Sequence, residues 1–244
     1  MLGVKVTNLV KCYNHVSVLD GLDLTIKEGK QTTIIGPSGC GKSTLLRLIL
    51  GLESFEEGEI LVNGVNVKEV SEGELNAMRL KCAMVFQSSA LFDSMTVCEN
   101  VGLVLREHTR LSEKDIRKRV FEKLDMVGLA DTIDLLPGSL SGGMKKRVAV
   151  ARAIINDPEM ILFDEPTTGL DPITSTTIEN LINSLTKTMN ATLVVVTHQI
   201  STILNSTGRI YMIQDGKAIR AESPRKILKS KNKTVYKFVN GLVD

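Results

Sequence analysis

Apolar positions along the chain follow two periods. Residues 4–10 and 22–27 alternate or cluster like short strands, and "QTTIIG" (31–36) is β-branched and closed by glycine, as a buried strand is. "KSTLLRLILGL" (42–52) has the length and apolar density of a packed helix. "GEILVNGVNV" (58–67) sets Asn-Gly between two apolar runs and predicts a hairpin. "CAMVFQ" (82–87) predicts a further strand. From 96 to 136 the pattern changes. In "SEKDIRKRVFEKLDMVGL", Ile116, Val120, Leu124 and Val127 share one face and charges occupy the other, which predicts an amphipathic helix capped by Ser112. Its charged side reads as a solvated face. "MILFDE" (160–165) and "TLVVVT" (192–197) are continuous apolar strands, the mark of a parallel sheet covered on both faces. "STGRIYMIQDGKAIR" (206–220) predicts a last hairpin that turns at Asp215-Gly216. The order is a β-rich start, an α/β core, a helical insert and the α/β core again, with no internal repeat.

Composition narrows the picture only slightly. With 244 residues, 43% apolar and 24% charged, the chain suits one or two lobes with a substantial core. A net charge of +2 argues neither for nor against nucleic acid, but 4% aromatics and no Trp give base stacking no support, so no nucleic-acid partner is expected. Cys12, Cys40, Cys82 and Cys98 form neither a CxxC nor a paired metal spacing, and are expected to be reduced thiols. "MLGVKVTNLV" has no signal-segment pattern, and no run nears the roughly 18 apolar residues of a spanning helix. The expectation is a soluble chain that reaches a membrane only through a partner.

The chemistry concentrates in a few motifs. "GPSGCGKST" (36–44) fits G-x-x-x-x-G-K-[ST] and lies between a predicted strand and a predicted helix, the context that confirms a phosphate loop. Gly36, Gly39 and Gly41 let the backbone turn its N–H groups toward phosphate oxygens, with Pro37, Ser38, Cys40 and Thr44 completing the loop. Lys42 supplies a charge for the β- and γ-phosphates, and Ser43 a hydroxyl for Mg²⁺. Asp164 and Glu165 end an apolar strand, where ligands sit in open α/β sheets. Asp164 is placed to hold Mg²⁺ through water, and Glu165 to polarise the attacking water as general base. His198 follows "TLVVVT" and emerges at the same edge, to reach a γ-phosphate oxygen or to orient Glu165. Gln87 ends "CAMVFQ", and its amide points either to Mg²⁺ and water or to nothing in particular. His15 and His108 read as surface residues. "LSGGM" (Leu140, Ser141, Gly142, Gly143, Met144) opens a helix but has no Lys in its turn and no strand before it. It cannot replace the first loop. A second copy of the chain, packed head to tail, would bring it to the γ-phosphate from outside, so that two ATPs lie sandwiched.

"GPSGCGKST", Gln87, "LSGGM", "ILFDEPTTGLD" and His198 stand in the order found in the nucleotide-binding subunits of ABC transporters, and the resemblance covers about residues 4–220. It implies an α/β fold: a P-loop NTPase (RecA-like) core with an antiparallel β subdomain and an α-helical subdomain. The implied division is core and β subdomain at about 1–87 and 158–220, helical subdomain at about 88–157, and a C-terminal tail at 221–244. It implies an ATPase using ATP and Mg²⁺ in a head-to-tail homodimer. It places Tyr13 against adenine, Asp171 at the dimer interface, and Gln87 as the link from the γ-phosphate site and metal to a membrane permease. "LSGGMKKRVAVARAI", with Met144 where most relatives have Gln, "ALFDSMTVCENV", "DEPTTGLDPIT" and the tail look like the Mla/Mce-type phospholipid transport ATPases. That likeness implies permease subunits, an Mce-domain partner and a place on the cytoplasmic face of the inner membrane. A small-solute importer ATPase or a soluble non-transport ABC ATPase is the alternative. Gln199 follows His198 where relatives usually have Asp. The tail lysines Lys226, Lys229, Lys231, Lys233 and Lys237 read as solvated or subunit-docking rather than lipid-binding.

Overall fold

The alternating start of the chain forms β1 (Val4–Tyr13) and β2 (Val16–Ile26), paired antiparallel, in a computed structural model that describes residues 1–242. β3 (Gln31–Ile35) leads through the glycine loop into α1 (Lys42–Ile49). The Asn63-Gly64 turn, with both residues at positive φ, joins β4 (Glu57–Val62) to β5 (Val65–Asn66). α2 (Glu72–Arg79) precedes β6 (Cys82–Val85). Three helices follow: α3 (Val97–His108), α4 (Glu113–Met126) and α5 (Gly142–Ile154). The chain then returns to β7 (Met160–Asp164), α6 (Pro172–Thr188), β8 (Thr192–Thr197) and α7 (Ile200–Asn205). It ends in the hairpin of β9 (Arg209–Gln214) and β10 (Lys217–Arg220), then α8 (Lys233–Val239).

Two sheets result. The antiparallel one runs β2-β1-β4-β5, and the other runs β10-β9-β3-β8-β7-β6, parallel except for β10 at its edge. Sequential βαβ crossovers generate the parallel order. Both faces of β7 are buried: Ile161 and Phe163 pack with α3, α4, α5 and α6, while Met160 and Leu162 pack with α1 and the antiparallel sheet. This is why its sequence is continuous rather than alternating.

Most predicted strands stand where the pattern put them, as does the Ser112-capped helix, whose Ser112 hydroxyl accepts from Asp115 N at 3.2 Å. The strand at 82–87 is shorter than its apolar run. β6, at the sheet edge, stops at Val85, where its pairing with β7 ends at Phe163, and Gln87 lies in the turn beyond it. α2, α3 and α6 carried no reading from periodicity. α2 and α3 nonetheless start on capping boxes, Ser71 with Glu74 and Thr96 with Glu99. All four cysteines are free thiols.

Residues 221–242 fold back on the parallel sheet. Ile227, Val235 and Val239 are buried with Ile35, Ile203, Ile210 and Met212, while Lys226, Lys229, Lys231, Lys233 and Lys237 face outward. The segment is therefore solvated on its basic side only. Ile227→Ala is expected to lower the unfolding free energy by about 2–5 kcal/mol, as for other fully buried aliphatic side chains, with urea denaturation as the measurement. A freely solvated tail would show no change.

Candidate functional site

Residues 36–41 carry the backbone from β3 into α1 by a path that needs glycine. Gly36, Gly39 and Gly41 have φ of 151°, 80° and 99°. A Cβ on Gly36 would stand 2.5 Å from the Ile213 carbonyl oxygen and 2.7 Å from Cys40 Sγ. Lys42, at the first turn of α1, is buried and donates to the Gly36 and Pro37 carbonyls, both at 2.9 Å. The loop thus holds its own ammonium at its mouth.

The neighbouring strands deliver the acids. Ser43 Oγ donates to Asp164 Oδ1 at 2.7 Å, which joins α1 to the end of β7. Glu165 follows with φ 48°, a left-handed backbone that non-glycine residues seldom adopt. Its N–H donates to Val196 O at 3.0 Å, and its carboxylate turns back over the glycine loop. Glu165 Oε1 lies 2.8 Å from His198 Nδ1 and 3.6 Å from Lys42 Nζ. Glu165 Oε2 accepts from His198 N and from the Thr168 hydroxyl, each at 3.3 Å. Of the two readings of His198, the orienting contact is the one present within the chain.

These groups line a polar cleft of about 220 Å³, bounded by Ser38, Gly39, Gly41, Lys42, Ser43 and Thr44 on one side and Gln87, Glu165 and His198 on the other. Two loop residues are absent from this lining: Pro37 lines a separate groove bordered by α8, and Cys40 packs toward the core beneath the antiparallel sheet. Tyr13 also lies apart from the cleft lining, half-exposed, with its hydroxyl on Glu53 and Lys11 Nζ 4.9 Å from its ring centroid. Glu53 in turn accepts from Arg47 of α1 at 2.5 Å, so Tyr13 is tied to the helix that follows the glycine loop.

The "LSGGM" segment does not reach the cleft of its own chain. It forms the start of α5, with Ser141 as N-cap accepting from Met144 N at 3.3 Å. Leu140 is buried in the helical core and Met144 packs against it, so Leu140 can offer a ligand only backbone. A Cβ on Gly143 would meet Thr174 Cγ2 at 2.4 Å; glycine is what lets α5 approach the start of α6. Asp171 caps α6, accepting from Ile173 N and Thr174 N at 3.0 Å, and its bond from the Thr174 hydroxyl holds its pKa below the usual value.

Sequence reasoning overlooked two cations on α5. Lys146 is buried and donates to the Gln87 carbonyl, while Arg152 donates to Ala90 O at 2.6 Å and Ser89 O at 2.8 Å. They hold residues 87–90, where Ser89 and Ala90 have φ of 64° and 46°. "MKKR" and "ARA" held the residues, but only the packing of α5 on this turn separates them from surface cations.

Burial sets the electrostatics. It lowers the Lys146 pKa, partly offset by Asp164 and Glu165, and raises the Cys40 thiol, which fits an inert cysteine. Burial also raises the Asp164 pKa, opposed by the Ser43 hydrogen bond. A hard divalent cation takes oxygen ligands, and the Ser43 hydroxyl paired with a desolvated carboxylate at the cleft is such a donor set. The residues fit Mg²⁺. Among the described residues no group of three or more His, Cys, Asp and Glu could hold a metal ion, and no helix is long and apolar enough to cross a membrane.

Comparison with known proteins bears on this geometry. A family profile described as ABC transporter matches residues 19–168. The intermembrane phospholipid transport system ATP-binding protein MlaF of Haemophilus influenzae is 42% identical over 241 residues, 99% of this chain and 91% of that protein. The methionine import ATP-binding protein MetN of Clostridioides difficile is 37% identical over 236 residues, 97% of this chain and 73% of that protein. A dimeric ATP-binding cassette solved in a post-hydrolysis state with ADP and Pi superposes with a TM-score of 0.83 at 38% identity, over 91% of this chain and 99% of that one.

Asp164 provides a test. Its folded pKa is above its unfolded one, so its contribution favours the folded state at low pH and is lost as pH rises through the folded value. At neutral pH the buried carboxylate is a net cost. Asp164→Asn is expected to raise the melting temperature in EDTA at pH 7.5 and to abolish the extra stabilisation that Mg²⁺ adds to ATP, both read by thermal denaturation.

Proposed function

The chain belongs to the ABC transporter ATPases, and we propose that it is the ATP-hydrolysing subunit of a phospholipid transporter. One observation carries the catalytic part: the glycine loop, Lys42, Glu165 and His198 line one cleft, with Asp164 bonded to Ser43 of its lining, although they come from three strands. In this reading ATP lies with its phosphates on the amides of residues 38–44. Lys42 exchanges its carbonyl partners for phosphate oxygens. Ser43 and Asp164 hold Mg²⁺ with the Gln87 amide nearby, and the ion neutralises phosphate charge when bound. Glu165 accepts a proton from the water whose oxygen bonds to the γ-phosphorus as the bond to the β–γ bridging oxygen breaks, leaving ADP and phosphate. His198 keeps that carboxylate aimed. Tyr13 takes the adenine.

Closure needs a second copy. Ser141 and Gly142 at the start of α5 are exposed and do not line their own cleft, and this supports a head-to-tail dimer in which each "LSGGM" segment (Leu140 to Met144) covers the partner's nucleotide and Asp171 lies at the seam. The dimeric cassette of similar fold supports the same reading. An apolar groove of about 430 Å³, lined by Phe86, Phe92, Leu103 and Val104, lies beside the turn of residues 87–90. It is the proposed seat of a membrane permease, which would place the chain at the cytoplasmic face of the inner membrane. Lys146 and Arg152 connect that turn to α5, so a shift of α5 on closure moves the groove.

Phospholipid as cargo, with an Mce-domain partner, rests on the likeness to the MlaF protein and on "SGGM" with "DPIT". The 37% identity to a methionine importer makes a solute importer the specific rival.

Glu165→Gln is expected to retain ATP binding, to lower turnover at least a hundredfold, and to migrate as a dimer with Mg-ATP in gel filtration. Near-normal hydrolysis would remove Glu165 from its role. Purification from native membranes in mild detergent is expected to recover a multispanning permease, an Mce-domain protein and phospholipid by mass spectrometry. A solute permease in their place would keep the engine and change the cargo.

A further inference from the structure

A run of buried polar side chains joins the turn after β7 to the loop after β8. Thr167 has no exposed surface, and Thr202 and Glu179 are 5% and 3% exposed. Glu179, two turns into α6, accepts from Ser201 Oγ at 3.0 Å and Thr202 Oγ1 at 2.8 Å, and from the Asn205 amide. Thr202 Oγ1 is 3.0 Å from Thr167 Oγ1, which is 2.7 Å from the side-chain amide oxygen position of Gln199. No cation meets Glu179 among the described residues.

The protons must be counted. The run from Gln199 to Glu179 contains three oxygen contacts and two hydroxyl protons. A hydroxyl donates once, and a carboxylate or an amide oxygen donates not at all. One contact would therefore bring two lone pairs together in a buried place, which is costly. The missing proton comes from one end or the other. Protonating Glu179 would leave a neutral acid on three donors. Turning the Gln199 amide by a half rotation puts its NH₂ on Thr167 instead, and the two orientations differ only in which atom is called nitrogen. The turn loses nothing within the chain, because Gln199 Nε2 has no partner among the described residues.

We propose that Gln199, Thr167, Thr202 and Glu179 form a hydrogen-bond chain of one direction, each donating toward Glu179, and that Gln199 and Thr167 are positioning residues for hydrolysis. Gln199 is the direct neighbour of His198, and Thr167 lies two residues beyond Glu165. The chain therefore fixes the two backbones whose side chains meet at Glu165 Oε1 and His198 Nδ1, 2.8 Å apart. The other end of the chain is on α6, the helix that Asp171 caps. The inference of a positioning role rests on the reading of Glu165 and His198 as the hydrolytic pair.

An isosteric exchange tests it on the full chain. Gln199→Glu puts acceptors at both ends, so two protons again face three contacts. We expect the melting temperature to fall by about 3–8 °C. ATPase kcat should fall about tenfold with KM for ATP within twofold, because the glycine loop is untouched. Glu179→Gln alone should cost less, since either end can then donate. The double variant Gln199→Glu/Glu179→Gln reverses the chain, with protons running from residue 179 to residue 199, and should recover most of both losses. A Gln199→Glu protein with parental stability would overturn the chain, because a protonated Glu179 would then be supplying the third proton. A double variant no better than Gln199→Glu would overturn it too. Stability coupling with unchanged kcat in all variants would overturn the positioning role. If Glu165→Gln still hydrolyses ATP normally, the catalytic reading fails, and the stability cycle judges the chain separately.

Discussion

The register of three parallel strands is the constraint on which the polar cleft depends. Ile35 of β3 pairs with Thr197 of β8, and Asp164 of β7 pairs with Val196 of β8. The three strands therefore end level, and Gly36, Glu165 and His198 leave the sheet side by side. A slip of one residue in any pair would turn Asp164 and its neighbours to the opposite face. The apolar burial on both faces of β7 and β8 prevents such a slip, since it would exchange the helical core for the one beneath the antiparallel sheet. Core packing and site geometry are in this sense one constraint.

Charge in the cleft is balanced locally rather than by solvent. Lys42, Asp164, Glu165 and Lys146 are all buried, and each has polar partners: carbonyls for both lysines, a serine hydroxyl for Asp164, and His198 with a threonine for Glu165. A buried charge is tolerable only with such partners. In the proposed mode of binding, several of them are groups that a triphosphate and its cation would replace. Binding of that kind would exchange contacts without exposing an uncompensated charge.

The helical region is joined to the cleft at a few defined points. Lys146 and Arg152 bind the turn after β6, and Gly143 lets the start of α5 rest on Thr174 of α6. The start of α5 is thereby presented on the surface, beyond reach of its own glycine loop. In the proposed dimer that surface is what a second copy would use, so hydrolysis would be tied to assembly.

The sequence by itself determined the glycine loop and the helix after it, the acidic pair at a strand end, most of the strands and the cap of α4. Those signals are local: a glycine pattern, a run of β-branched residues, a serine before a helical period. Capping boxes at Ser71 and Thr96 are equally local and would have marked α2 and α3, which the reading of apolar runs passed over. Only the tertiary structure decided that His198 meets Glu165, that Lys146 is buried on the Gln87 carbonyl, that Gln87 lies beyond its strand, and that the tail at 227–239 closes a third core. Each joins residues distant in the chain, so no spacing encodes it. Gln199 is the sharpest case. Along the chain it is a neutral residue after a histidine, and its meaning comes from a proton count that starts at Glu179, on another helix.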